Sequence, residues 1–304
     1  MTSISRKLAS TSLSDRVFDL VVYLFITLIA VCTLYPFLNV LAISLNDSTD
    51  SVRGGITIFP RHFTWDNYSL IFSFDGLLTG FKISILRTVI GTILGLISGS
   101  MLAFVLSRSD WEARKLLSTY LALTMYVSGG LIPFYILMRD MHMIGTFAVY
   151  VLPGVVSAFN VFIIRSFIDS LPYALQESAK IDGANDFTIY IRVILPLTLP
   201  ALATIALFLA VGQWNSWFDT YLYNGSKEHL TTLQFELMKV LQSTQNTSHS
   251  NGMNGQNMTQ VMNSISPESV KMAITIIVTV PILLVYPFMQ RYFISGMTLG
   301  AVKS

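Results

Sequence analysis

The chain has 304 residues, of which 53% are hydrophobic and only 12% charged, with a net charge of +2. A soluble domain carries roughly 25% charged residues, so this composition, at a mean hydropathy of +0.60, excludes an ordinary soluble protein and points to the bilayer. There is no basic tract to suggest nucleic acid, and the single cysteine, Cys32, excludes an internal disulfide and reads as a small buried hydrophobe.

Scanning for stretches without charge gives six runs: 20–46, 88–107, 116–138, 141–164, 193–218 and 272–290. Each is close to or above the roughly 20 residues that cross a hydrocarbon core as helix. The chain is therefore predicted to be an all-α, polytopic membrane protein with six transmembrane helices. The first run is too long for a secretory signal, and no cleavage site follows it.

Residues 47–82 read as a long outer loop broken by Gly54-Gly55 and Pro60, with Trp65, Tyr68 and Phe72 at the membrane interface by default or, alternatively, on a partner. Gly91, Gly95 and Gly99 in the second helix share one face, where a neighbouring helix can approach closely. Pro133, Pro153 and Pro281 fall inside helices 3, 4 and 6 and predict kinks. Residues 224–266 form a second outer loop, whose 243–264 portion is rich in Asn, Ser, Gln and Met and reads as flexible, with ordering against an external partner as the alternative. The glycosylation sequons at Asn46, Asn67, Asn224, Asn246 and Asn257 are short enough to arise by chance and carry no weight.

Short connections set the orientation. Arg16 precedes helix 1 together with Arg6 and Lys7; Arg108, Arg114 and Lys115 lie between helices 2 and 3; Arg165, Lys180 and Arg192 lie between 4 and 5; Arg291 and Lys303 follow helix 6. The connection between helices 3 and 4 has only Arg139, beside Asp140. Positive-inside counting puts both termini and the connection after helix 4 in the cytoplasm.

That connection, about residues 169–192, holds the most ordered polar stretch of the chain: Glu177-Ser178-Ala179-Lys180-Ile181-Asp182-Gly183-Ala184, followed by Val193-Ile194-Leu195-Pro196 and Pro200. Ser170 is predicted to cap a helix starting at Leu171-Pro172 and running to about Ile181. Gly183 can take a positive φ and turn the chain sharply. A second helix is expected from Asn185 or Asp186 to Leu195-Pro196. Ala179 and Ala184 present little bulk to a groove on a partner, and Glu177 and Asp182 can pair with its basic groups.

This stretch resembles the "EAA" coupling loop of ABC importer permeases, with Ser178 where the family usually has Ala. The ending Gln290-Arg291-Tyr292-Phe293-Ile294-Ser295-Gly296-Met297-Thr298-Leu299-Gly300-Ala301-Val302-Lys303 looks like the tail of carbohydrate permeases of the maltose-permease class. Ser128-Gly129-Gly130-Leu131-Ile132-Pro133 and Pro267-Glu268-Ser269-Val270-Lys271-Met272-Ala273 resemble a branch named for lipoprotein or complex polysaccharide uptake, which includes permeases for pectin-derived oligosaccharides. The resemblance implies the type I ABC importer permease fold in a bacterial cell membrane. It divides the chain into a cytoplasmic segment 1–16, a permease domain 17–290 and a cytoplasmic tail 291–304. It implies a second permease subunit, two ATP-binding subunits docked on the coupling loops, and an extracellular solute-binding lipoprotein that delivers an oligosaccharide. The chain has no Gly-x-x-x-x-Gly-Lys-Ser/Thr loop, so ATP and Mg are expected on the partner, and no cofactor, metal ligand or catalytic residue is assigned here.

Sugar sites combine aromatic faces with hydrogen-bonding groups in a concave wall. Helix 5 offers Gln213, Trp214, Asn215 and Trp217, followed by Asp219, and helix 4 offers Ser157 and Asn160. For the two tryptophans a sugar path and an interfacial belt both stand open, while Asn160 also suits an interhelical hydrogen bond. His142, alone outside the helix cores, reads as structural. The rival functions are an ion-coupled carrier or channel, and a membrane hydrolase. The first commonly needs intramembrane charges, which the six runs lack. The second needs a metal or nucleophile motif that is not found.

Overall fold

The computed structural model describes residues 13–73, 75–247 and 267–301. The expectations placed on Arg6, Lys7, Asn257, Lys303 and most of the 243–264 run fall outside those residues. In chain order the helices are α1 (Leu13–Ser44), α2 (Ser48–Ser51), α3 (Asp66–Phe72), α4 (Asp75–Ser107), α5 (Arg114–Tyr126), α6 (Leu131–Asp140) and α7 (Ala148–Val151). There follow α8 (Ala158–Asp169), α9 (Ala174–Ile181), α10 (Asp186–Ile189), α11 (Leu195–Leu197), α12 (Leu199–Asn215), α13 (Leu233–Thr247) and α14 (Pro267–Ala301). Among the described residues the one extended pairing is a bridge between Asn46 and Phe63. A helical backbone satisfies its own donors and acceptors, which lipid cannot do for it.

Two compact units emerge, residues 1–71 with 247–276 and residues 72–246 with 277–304. In the first, the most apolar stretch of α1 has no buried residue. Cys32, expected to be buried, is exposed on it; lipid tails are as apolar as a protein core, so nothing drives the thiol inward. The connection after α1 is pinned around Asn46. Its Oδ1 accepts from the amides of Arg61 and His62 (both 2.8 Å), and its Nδ2 donates to Asp50 and Ser51 (3.1 and 3.0 Å). Trp65 and Phe72 are exposed, and Tyr68 bonds Ser44 through its hydroxyl (2.8 Å).

The second unit is built on α4, which packs against α12 and α8. The glycine face does what its spacing predicts. A Cβ on Gly91 would lie 2.7 Å from the Gln213 side chain, one on Gly95 3.0 Å from Leu209, and one on Gly99 3.6 Å from Ile164. The start of this helix departs from the sequence reading: α4 begins at Asp75, so the end of the predicted loop 47–82 is helical, and Arg87, just before the uncharged run 88–107, lies well inside the helix. The second outer loop is likewise partly helical. In α13, Leu233, Leu237 and Val240 recur at helical spacing and are buried, and the Leu233 amide donates to Ser84 Oγ of α4 (2.9 Å).

Among the described residues, three helices are long and apolar enough to cross a membrane unaided, over Ser14–Ser44, Gly76–Ser107 and Glu268–Pro287. Three bent pairs reach that length and apolarity together and bring the number to six where each pair counts as one span: Arg114–Tyr126 with Leu131–Asp140 at 117°, Ala148–Gly154 with Ala158–Asp169 at 47°, and Asp186–Leu197 with Leu199–Asn215 at 80°. The break in the third span is not at Pro133, which sits in the first turn of α6, but at residues 127–130, where Gly130 has φ +84°. A proline in a first turn costs no hydrogen bond, so it does not bend the helix it opens. Pro153 lies in the 3-10 turn Leu152–Gly154, whereas Pro281 is inside α14, which continues unbroken to Ala301.

Candidate functional site

Two polar constructions stand out, one at the C-terminal end of α4 and one within it at Arg87. The first is the elbow from α9 to α11. Ser170 does not cap α9 as the sequence predicts. It closes α8, its hydroxyl donating to the Phe167 carbonyl (2.7 Å), and α9 begins at Ala174 without a side-chain cap. A serine hydroxyl reaches the carbonyl three residues back as readily as an amide ahead. The end of α9 does follow prediction. Gly183 has φ +81°, the Ala184 amide donates to Ala179 O (2.9 Å), and the Gly183 amide donates to Lys180 O (3.0 Å). These two bonds make a Schellman closure, which requires the left-handed residue that glycine supplies. Asn185 then caps α10, its Oδ1 accepting from the Thr188 amide (2.8 Å) and hydroxyl (2.9 Å). The chain continues through a π-helical turn at Tyr190–Ile194 and α11, and bends at Thr198 into α12. Pro196 and Pro200 each lack an amide hydrogen there, which weakens the ladder where the bend occurs.

The elbow has two faces. Gln176, Ile189, Tyr190 and Ile194 are buried, and the Tyr190 hydroxyl meets Ser100 Oγ of α4 at 2.7 Å. Ala179 and Ala184 also pack partly buried against this core, so their small size serves the elbow's own closure on the bundle. Glu177, Ser178, Asp182 and Gly183 are exposed. The most exposed apolar groups of the elbow are Ile181, 86% exposed, and Phe187, 62% exposed.

A charge cluster fastens the elbow to the end of α4. Arg108, only 7% exposed, donates from Nε and Nη2 to the two oxygens of Asp110 (2.8 and 2.6 Å) and from Nη1 to Asp186 (2.6 Å). Lys180 reaches Asp110 at 3.3 Å. The Arg108 hydrogen bonds hold the Asp110 carboxyl well below the usual carboxylate range, against the opposing pull of desolvation, and Lys180 adds to them.

The second construction is centred on Arg87, twelve residues into α4 from its start at Asp75. Arg87 is 2% exposed. It donates to both oxygens of Asp219 (3.1 and 2.5 Å), to the Ser216 carbonyl (3.4 Å) and to Gln213 Oε1 (3.1 Å), with its guanidinium 4.6 Å from the centre of the Tyr150 ring. The Tyr150 hydroxyl in turn donates to Leu230 O (2.6 Å). Arg87 directly precedes the uncharged run 88–107 but belongs to the same helix, α4, so that helix carries a buried charge pair just outside the run. An arginine paired and hydrogen-bonded in this way can be buried where a lone one cannot.

Among the suggested path residues, Gln213 is engaged by Arg87, and Trp214 is buried, its indole N–H donating to Val278 O (3.0 Å) and its ring edge-on to Phe81 (6.2 Å). Trp214 also lines an apolar cavity with Ile85, Val89, Leu207 and Val285. Asn215 ends α12 exposed, and Trp217, half-buried, meets Phe218 edge-on (5.7 Å). Asn160 is buried in the first turn of α8, capped by Ser157. His142 is exposed with φ +57°. The sequence assigns no site role to Arg87, Arg108, Asp110 or Asp186; Arg108 counts only toward orientation and Asp186 only as a helix start. The one available signal was that Arg87 continues the four-residue spacing of Gly91, Gly95 and Gly99 onto the same helical face.

Apolar spans joined through a rigid polar elbow describe a membrane transport subunit. The chain belongs to the family described as the binding-protein-dependent transport system inner membrane component, whose model matches residues 11–299. It is 36% identical over 294 residues to the polygalacturonan/rhamnogalacturonan transport system permease protein YtcP of Bacillus subtilis, covering 96% of this chain and all (100%) of that one. It is also 36% identical to protein LplC of Bacillus subtilis, over 95% of this chain and 96% of that one. Among solved structures, a chain of a bacterial ABC transporter involved in the import of the acidic polysaccharide alginate matches with TM-score 0.81 and 28% identity, over 93% of this chain and 99% of that chain. The chain is therefore a multi-pass ABC permease with the type I importer fold, and the ion-coupled carrier gives way to it despite the buried Arg87–Asp219 pair.

Proposed function

We propose that this chain is the permease subunit of an ATP-driven importer of oligosaccharides, pectin-derived fragments among them, and that it forms half of the translocation path beside a second permease. The elbow receives one of two ATP-binding subunits, which hold ATP and Mg, and a solute-binding lipoprotein delivers the sugar outside. In this reading Glu177, Ser178, Asp182 and Gly183 lie on the docking surface, Ala179 and Ala184 fit it closely to the bundle, and both termini and the elbow face the cytoplasm. The residues toward the end of α12 (Gln213, Trp214, Asn215, Trp217), with Asn160, border the path. Asn215 and Trp217 are its accessible members, and Gln213 and Trp214 shape the wall behind them. The names of similar proteins support the substrate class: YtcP is named for polygalacturonan and rhamnogalacturonan transport, and the matching solved transporter for import of the acidic polysaccharide alginate.

The observation that carries the coupling role is the Schellman-closed turn at Gly183, which makes the elbow a stiff lever with Ile181 and Phe187 displayed beside it. The test is purification of the tagged chain from native membranes, with mass spectrometry of its companions, followed by Gly183→Val. A second permease and an ATPase are expected with the wild-type chain. The variant should still insert but uncouple hydrolysis from uptake. A stable complex without any ATPase, or normal uptake in the variant, would sink the reading.

A further inference from the structure

The elbow and the break after α12 are linked by two routes of different stiffness. Along the backbone, the path from α10 to Ser216 crosses a π-helical turn, two prolines and an 80° bend. Each is a place where a helix yields. Along α4 there is no proline and no break from Asp75 to Ser107. At about 1.5 Å per residue the helix from Arg87 to Arg108 spans roughly 30 Å, the depth of a hydrocarbon core.

Each end of that straight segment carries a nearly buried arginine bonded across to the other route. At the elbow end, Arg108 holds Asp186 of α10, and Asp110 beside it also receives Lys180 of α9, so the helices on both sides of Gly183 join one charge cluster. At the other end, Arg87 binds Gln213, the Ser216 carbonyl and Asp219, which are the last turn of α12, the broken residue and the residue that opens the next turn. Ser216 has extended backbone (φ −74°, ψ +126°), and Asp219 accepts from the Thr220 amide (2.8 Å). Between the ends, Gly91 and Gly95 seat α4 directly on Gln213 and Leu209.

We propose that α4 is a transmission rod, clamped to the elbow by Arg108 and to the break at Ser216–Asp219 by Arg87, so that motion of the elbow reaches the far end of α12 through α4. This rests on the coupling role proposed above. Arg108 and Arg87 are positioning residues in it, because neither is argued to touch the substrate or ATP.

Hydrogen–deuterium exchange on the assembled importer in lipid nanodiscs tests this without knowledge of the sugar. ATP, Mg and vanadate are the probe, and the elbow peptide and the 213–224 peptide are read separately. In the wild-type complex both peptides should change their exchange on trapping. In Arg108→Gln the elbow response persists while the 213–224 response shrinks by about threefold or more, within the range seen for residues that carry coupling. Arg108→Lys restores part of it. Asp186→Asn, a change at a carboxylate whose side chain is 66% exposed, weakens the response in the same direction and serves should Arg108→Gln fail to assemble. An unchanged 213–224 response in Arg108→Gln or Asp186→Asn overturns the rod, as does loss of both responses together, which would make the cluster a fold support only. A wild-type complex whose elbow ignores ATP and vanadate overturns the coupling role itself.

Discussion

The two arginines that bracket the 87–108 segment are almost equally hidden, yet they are built for different lives. Arg87 faces one carboxylate, a glutamine, a backbone carbonyl and an aromatic ring, and the Asp219 side chain opposite is 23% exposed. Arg108 faces two carboxylates that stay largely in water, Asp110 at 48% and Asp186 at 66% exposed. A buried pair is costly to make and costlier to break, whereas a half-solvated one trades partners with water at little loss. The protein thus has one charge site whose loss disrupts its packing and one that yields to substitution at little cost in stability while still tying the elbow to α4.

Removing one partner at each site is the sharpest way to break that contrast. Asp219→Ala leaves Arg87 buried and unpaired, and should cost about 3–5 kcal/mol, read as loss of folded subunit from the membrane and a large fall in Tm. Asp219→Asn keeps an acceptor and should fall between it and the wild type. Asp186→Asn, by contrast, should cost less than about 1 kcal/mol. If Asp219→Ala proved as mild as Asp186→Asn, the distinction between fixed and yielding charge would be wrong.

At the yielding end, the next effect lies in the turn. A Cβ on Gly183 would meet nothing within 4 Å, so size is not the obstacle there; the φ of +81° is. A left-handed backbone costs an ordinary residue about 1–2 kcal/mol. Gly183→Val should therefore be worst, Gly183→Ala intermediate and Gly183→Asn mildest, in the ratio of uptake to ATP hydrolysis. A ranking by side-chain volume in which Asn falls below Ala would show that the site is limited by contact with the partner and not by backbone strain. Smaller again, Asn185→Ala removes the cap of α10 and should lower stability by about 1 kcal/mol, measured as a modest drop in Tm with the complex intact.

How much of this was legible in the sequence depended on the range of each interaction. Gly183 and Asn185 were readable because turn and cap are decided within a few residues. The Gly91, Gly95 and Gly99 face was readable because helical spacing repeats. Ser170 was misassigned because one hydroxyl stood between two helices, and local pattern does not say which it serves. Arg87 was missed because the helix was ended at the first charge, while its partner Asp219 is 132 residues away and no nearby residue announces it. The same reasoning misplaced the break of the third span: a proline was sought at 133, but the chain opens at Gly130, where the backbone and not a missing hydrogen bond sets the corner.

Acid provides the gentlest probe of the yielding site, and its sign is fixed by Asp110. Arg108 hydrogen bonds, with Lys180 behind them, lower this carboxyl below its ordinary 3.8. A carboxyl lowered on folding adds stability that is complete above its unfolded value and is lost only as pH falls through the folded one. The difference in Tm between the wild type and Asp110→Asn should therefore be flat from about pH 5 to pH 8 and begin to shrink only below about pH 4. A difference that already fades between about pH 6 and pH 5 would mean that a histidine-like group, and not this carboxylate, governs the cluster. Among the described residues the groups that meet Arg108 and Asp110 are Asp186 and Lys180, and neither is a histidine. The flat profile thus follows from the geometry that ties the elbow to α4.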